Sequence, residues 1–155
     1  MNRILMTALV AAAGLGVGCA KKQAETPAAF AFTHSLTLHG SPKAIDDSLT
    51  GDISGWWDHS FSDNPYKLYI EARPGGGFYE IFDESGDGVQ HAVVTADQRG
   101  KLLRCVGPLG LAGHAVEMVC TYSPTPVGVD STRLTLDVHA AGEIKPEWPA
   151  VVEQV

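Results

Sequence analysis

The chain has 155 residues, 45% of them hydrophobic, with 18 acidic against 11 basic side chains and a formal net charge of −7. An acidic chain with no Lys/Arg cluster longer than Lys21-Lys22 lacks the electrostatic footprint of a nucleic-acid or anionic-lipid binder. Its length suits one domain with a real core and little more.

The first segment reads as an export signal. Arg3 supplies a positive start, Ile4 to Val17 is an unbroken run of apolar and small residues, and Cys19 follows closely. A run of about fourteen residues is shorter than the roughly twenty needed to span a bilayer, which favours a secretory signal over a membrane helix. Val17-Gly18-Cys19 resembles the bacterial lipobox, in which a cysteine after a small residue is lipidated and becomes the mature N-terminus. Gly16 stands where that pattern usually has Leu, and Leu15 lies one residue earlier. The alternative is ordinary cleavage at the small-x-small site Gly18-Cys19-Ala20. Lipidation of Cys19 would hold the protein on a membrane without a spanning helix. The expected division is a signal over 1–19, a flexible tether over 20–29 and a domain over 30–155, in the periplasmic cell envelope. Loss of the signal removes Arg3 and leaves roughly 135 residues with a charge of about −8.

Phe30 to His39 alternates as a first strand, with Phe30, Phe32, Leu36 and Leu38 on one face. Gly40 ends it. Ser41-Pro42 starts a helix, with a hydroxyl to cap and proline at the first position, and Asp46 and Asp47 are expected early in it. Ile45, Leu49, Ile53 and Trp56 or Trp57 continue at helical spacing, and Thr50-Gly51 divides the segment into two short helices. Asp58 to Pro65 is a polar loop. The period then changes to two, predicting strands over Tyr66–Glu71, Phe78–Phe82, Val89–Thr95, Lys101–Val106, Ala115–Tyr122 and Arg133–His139. Arg73-Pro-Gly-Gly-Gly77, Asp83 to Gly88, Asp97-Gln-Arg-Gly100 and Ser123-Pro-Thr-Pro126 are the turn signals between them. Pro146 opens a short C-terminal helix over Glu147–Val155. The order predicts an α+β fold in which a curved antiparallel sheet of about six to seven strands grips helices on one face.

Two segments carry weaker signals. Asp83-Glu-Ser-Gly-Asp-Gly88 mimics the start of a calcium loop, but the twelfth position is Val94 where a bidentate acid belongs, so a hairpin is the better reading. Cys105 and Cys120 fall opposite each other if the hairpin turns near Ala112 or Gly113. An oxidising compartment permits a bridge, which in the chain-entropy model is worth about 3 kcal/mol; two buried free thiols are the alternative. Neither cysteine has a histidine at metal-site spacing.

Ser41 to Thr50 followed by Ile53-Ser-Gly-Trp-Trp57 resembles the opening helices of the SRPBCC superfamily, which includes START-like lipid carriers and relatives of the activator of the ninety-kilodalton heat-shock protein ATPase. Arg73-Pro-Gly-Gly-Gly-Phe78 is similar to the activator branch's glycine turn, and Lys101-Leu-Leu-Arg104 and Ser131 to Leu136 sit where its later strands would be. The resemblance covers about residues 30–145 and implies a helix-grip fold with an apolar cavity. The long closing helix of that superfamily has only about nine residues here, which implies a partly open cavity or a helix completed from elsewhere. Export argues against a chaperone role. The resemblance also implies pairing of the first and last strands, which would bring His34 or His39 towards His139 as a weak metal or pH-sensitive patch.

Apolar clefts with a few polar groups are the usual small-molecule sites. Trp57, Tyr69, Phe78, Phe82, Met118 and Tyr122 are the expected ligand-binding side chains, with plain core packing as the rival reading. No cofactor motif and no metal-ligand spacing occurs. The leading function is an exported, lipid-anchored domain that binds a hydrophobic small molecule or lipid. A cell-envelope protein-interaction module is the first alternative. A small cyclase or hydrolase is the second, for which Glu80 or His91 would have to face inward.

Overall fold

The computed structural model describes residues 27–154. The signal, Cys19 and most of the tether lie outside them.

Strand β1 (Ala28–His39) leads into helix α1 (Pro42–Leu49) and then a two-residue strand β2 (Gly51–Asp52). A long loop precedes β3 (Lys67–Ile70), β4 (Gly77–Ile81), β5 (Gly88–Gln98), β6 (Leu102–Gly107), β7 (Val116–Pro126) and β8 (Ser131–Gly142), and α2 (Trp148–Val152) follows. The eight strands form one antiparallel sheet in the order β1-β8-β7-β6-β5-β4-β3-β2. The expected α+β helix-grip architecture is present, with β2 as the additional strand.

Alternation explains the face that each strand buries. In β1 the even positions face the helices and pair with β8 as Phe30 with Ala140, Phe32 with Val138, His34 with Leu136 and Leu36 with Leu134. Bulges interrupt the pairing of β4 with β5 and of β5 with β6, and such extra residues bend a sheet. Two apolar clusters form on the concave side. The larger lies under α1, around Ile45, Leu49, Ile53, Ile70, Phe78 and Leu103. The smaller gathers Val116, Met118, Ala140 and Ile144 near α2.

One helix, not two, follows β1. The Ile53 N–H bonds to the Leu68 carbonyl, and the N–H groups of Trp56 and Trp57 both turn back onto the Ile53 carbonyl. The apolar spacing that suggests a second helix serves a tight turn tied to β3. The expected turn at Ser123–Pro126 also lies inside β7. Pairing with β6 ends at Tyr122, so beyond it β7 has β8 on one side only, and a free edge tolerates Pro124 and Pro126.

Ser41 caps α1 through its hydroxyl, which accepts from the Ala44 N–H at 3.3 Å, and Pro42 opens the helix. Asp46 and Asp47 fall in the second turn, not the first. Asp47 pairs with the Arg99 guanidinium, at 2.6 Å from Nε to Oδ1. Asp46 is buried, and among the described residues its Oδ1 has no hydrogen-bond partner; nor has Asp97 Oδ1. Burial raises the Asp46 carboxyl above its ordinary range. The Gly100 N–H opposes this, and the charges of Asp97 and Asp47 reinforce it. A carboxyl raised in the folded state costs stability once ionised, so the native protein gains from this residue as pH falls from neutral through its folded pKa. Asp46→Asn is expected to raise stability by about 1 kcal/mol at pH 7 and to remove that gain at acid pH. Urea unfolding at pH 7 and at a pH below the ordinary aspartate value checks both; a destabilised Asn variant at pH 7 contradicts the reading.

Candidate functional site

Between the two clusters the concave face is left open as an apolar cavity of about 320 Å³. Phe32 and His34 of β1 form one wall, and Leu136 and Val138 of β8 continue it. Met118, Cys120 and Tyr122 of β7 form the floor beside the 3-10 turn Leu109–Leu111. The loop before β3 contributes Trp57 and His59 to Phe61, α2 contributes Val151 and Val152, and Glu153 follows at its C-cap. A hydrogen bond of 3.2 Å joins His34 Nε2 and the Glu153 carbonyl, tying the end of α2 to β1. A second cavity of about 560 Å³ lies between α1, β1 and β8 and shares His34, Trp57, His59, Tyr122 and Leu136 with the first. The lining of neither contains lysine or arginine.

The main polar feature of the first cavity is built on a bulge. Across β4 and β5, Phe78 pairs with Ala92 and Tyr79 with Gln90, which leaves His91 as the extra residue. Two successive side chains of β5, His91 and Ala92, are therefore buried where simple alternation would bury one. Glycine at 107 lets β6 lie close here, because a Cβ at that position would stand 2.5 Å from the His91 carbonyl oxygen. The imidazole lines the cavity between Phe61 and Phe78, with ring centroids at 5.2 and 4.9 Å.

His91 Nε2 lies 2.9 Å from Glu80 Oε2. Glu80 is wholly buried, and its carboxylate also accepts from the Phe61 N–H at 2.9 Å, the Ser62 N–H at 2.7 Å and the Ser62 hydroxyl at 2.9 Å. Burial by itself would raise this carboxyl. The Phe61 and Ser62 amides, the His91 ring and the Ser62 hydroxyl outweigh it and hold the group below its usual range. One buried carboxylate thus pins the loop to the sheet and orients the histidine.

Of the six side chains expected to bind ligand, Trp57, Met118 and Tyr122 line the cavity. Phe78 is buried behind it in the larger cluster, edge-on to Trp57 at 5.1 Å. Tyr69 does not line it, because Leu68 and Ile70 take the inward positions of β3; Tyr69 instead packs at a tilt against Tyr79, with ring centroids 5.3 Å apart. Phe82 lies beyond the end of β4 and lines neither cavity. Phe61, Leu136 and Val138 are lining residues that the sequence reading did not select. Burial raises the Tyr122 phenol well above its ordinary value, so it stays protonated.

Cys105 and Cys120 are direct cross-strand partners, and both are buried free thiols in this structure. Burial, with the neighbouring thiol, pushes Cys105 up to about 12, and burial pushes Cys120 up to about 11. The thiolate is the reactive form, so at pH 8 both are expected to react with iodoacetamide far more slowly than free cysteine and to label fully once denatured. Peptide mapping distinguishes them from Cys19. Rapid native labelling contradicts the burial, and failure to label in denaturant without reductant shows a bridge. Strands β1 and β8 do pair, but His34 lies on the even face, away from His139 opposite Ala31, and His39, though on the odd face, lies eight residues further along β1 opposite Ser131, so the expected histidine patch does not form. Asp83–Gly88 is a hairpin turn held by Asp83 Oδ1 accepting from the Ser85 N–H at 2.8 Å. Among the described residues no group of three or more His, Cys, Asp or Glu side chains is placed to hold a metal ion, and no helix is long and apolar enough to cross a membrane.

The sequence matches no family model and no curated protein. Solved structures are similar in shape. The Mll3558 protein of Rhizobium loti aligns with a TM-score of 0.61 at 18% identity, over 84% of this chain and 92% of that one. Norcoclaurine synthase from Thalictrum flavum aligns with a TM-score of 0.52 at 16% identity, over 83% and 78%. The fold is Bet v1-like. A protein of unknown function from Staphylococcus aureus, SA2116, shares it with a TM-score of 0.55 at 9% identity, over 77% and 74%. At these identities the likeness concerns the Bet v1-like fold alone.

Proposed function

We propose that this chain is an exported, lipid-anchored SRPBCC-type domain that holds a hydrophobic or amphipathic small molecule in the cell envelope. The observation that carries the reading is the apolar cavity of about 320 Å³, a volume within the usual range of small-molecule sites. Aromatic and aliphatic walls would bury the ligand's apolar part, and a few polar groups would set its orientation. The sequence over residues 1–19 supports export, and Cys19 supports an acyl anchor. Native mass spectrometry of the protein extracted from its own membranes tests the reading. The expected spectrum shows a chain beginning at Cys19 with acyl mass and a bound small molecule that collisional activation releases. An unmodified chain with no retained molecule overturns it.

One observation favours a second, catalytic reading. Glu80 and His91 both face inward, as acid–base chemistry in this cavity would require.

A further inference from the structure

We propose that His91 Nδ1 accepts a hydrogen bond from a single O–H donor on an otherwise apolar, uncharged ligand, with Glu80 as the residue that fixes the ring for this task. The inference rests on the reading of the first cavity as a ligand site and names the chemistry that site selects.

An ionised carboxylate can only accept, so Glu80 at 2.9 Å places a ring proton on Nε2, and in the neutral imidazole that leaves the lone pair on Nδ1. Among the described residues Nδ1 has no protein partner, yet it is not among the atoms sealed from solvent. The ring itself lines the cavity, so the space in front of it is where a partner would lie. An acceptor in an apolar cavity is left unpaired by any ligand that cannot donate, and that is costly. This selects for a donor.

The surroundings narrow the class further. A carboxylate or phosphate would share the cavity with Glu153 and meet the Glu80 charge behind His91, with no lysine or arginine in the lining to balance it. An ammonium would find both Glu80 oxygens already occupied by four donors, and the lining's one carboxylate, Glu153, is solvent-exposed beyond the end of α2. A neutral hydroxyl meets neither penalty. Phe61 on the cavity side gives such a molecule an apolar surface next to the acceptor.

The test uses 2-naphthol and 2-methoxynaphthalene, which share their rings and differ in the donor. Fluorescence titration of the full chain at pH 7.5 is expected to show 2-naphthol binding about tenfold more tightly. In the wild-type protein the His91 Nδ1 nitrogen resonance is expected to move on adding 2-naphthol and to stay in place with the ether. His91→Phe is expected to bind both compounds equally; the resonance measurement stands whether or not that variant folds. Equal affinities with an unmoved Nδ1 overturn this inference and leave the cavity reading standing. Binding of neither compound overturns both.

Discussion

Glu80→Ala is expected to destabilise the protein by about 3–5 kcal/mol, the range for breaking a buried charged network from one side. The carboxylate is wholly buried and satisfies four donors. Its removal leaves the Phe61 and Ser62 amides and the Ser62 hydroxyl without their acceptor in a part-buried loop, and each donor left unpaired there adds to the loss. The loop before β3 has no helix or strand of its own between β2 and β3, so this anchor is its main tie to the sheet at Phe61 and Ser62. Hydrogen exchange over residues 58–66 should therefore accelerate together with the loss seen in denaturant melts. Glu80→Gln keeps the shape but turns half of the acceptor into a donor, and about 1.5–3 kcal/mol is expected. Because the folded carboxyl lies below its usual range, its contribution is complete above the unfolded value and fades as pH falls through the lower, folded one. A loss under about 1 kcal/mol in the Ala variant, with unchanged loop exchange, contradicts this role.

Leu136→Trp should weaken ligand binding at least about tenfold while sparing the fold. Leu136 is half-buried on β8 and lines both cavities, so an indole there projects into open space instead of packed core. N-phenyl-1-naphthylamine, an uncharged fluorescent probe, is expected to bind the wild type saturably and the variant at least about tenfold more weakly, since a filled site loses both volume and apolar contact area. Stability should change by no more than about 1 kcal/mol, at the mild end of small-to-large substitutions, because the space is already vacant. Unaltered probe affinity places binding elsewhere on the molecule.

Much of the sheet is legible from period-two alternation, and the β6–β7 register follows from the midpoint between Cys105 and Cys120. Helix α1 follows from Ser41-Pro42. The failures have local causes. Apolar spacing at 49, 53 and 57 serves a turn bonded to β3 as well as it serves a helix, and periodicity does not separate the two. Proline marks turns in general, but at 124 and 126 it occupies the edge that β6 leaves free.

The site is less legible than the sheet because its polar centre depends on a bulge. His91 and Ala92 both point inward, which no two-residue period predicts. Tyr69 could have been excluded from strand parity, given Leu68 and Ile70. Phe61 and Ser62 sit in a polar loop without any period. Their one signal is indirect: a glutamate among Phe78, Tyr79 and Ile81 has to find donors if it is buried, and the nearest unpaired amides are in a loop.

Crystals of the protein under xenon pressure test the existence of the cavity most directly, since xenon enters preformed apolar voids without needing the right ligand. The prediction is xenon bound between Phe32, Met118 and Val138, in front of His91. Absence of xenon, with the side chains of Tyr122 and Leu136 closed over that space, would contradict a binding cavity in this fold.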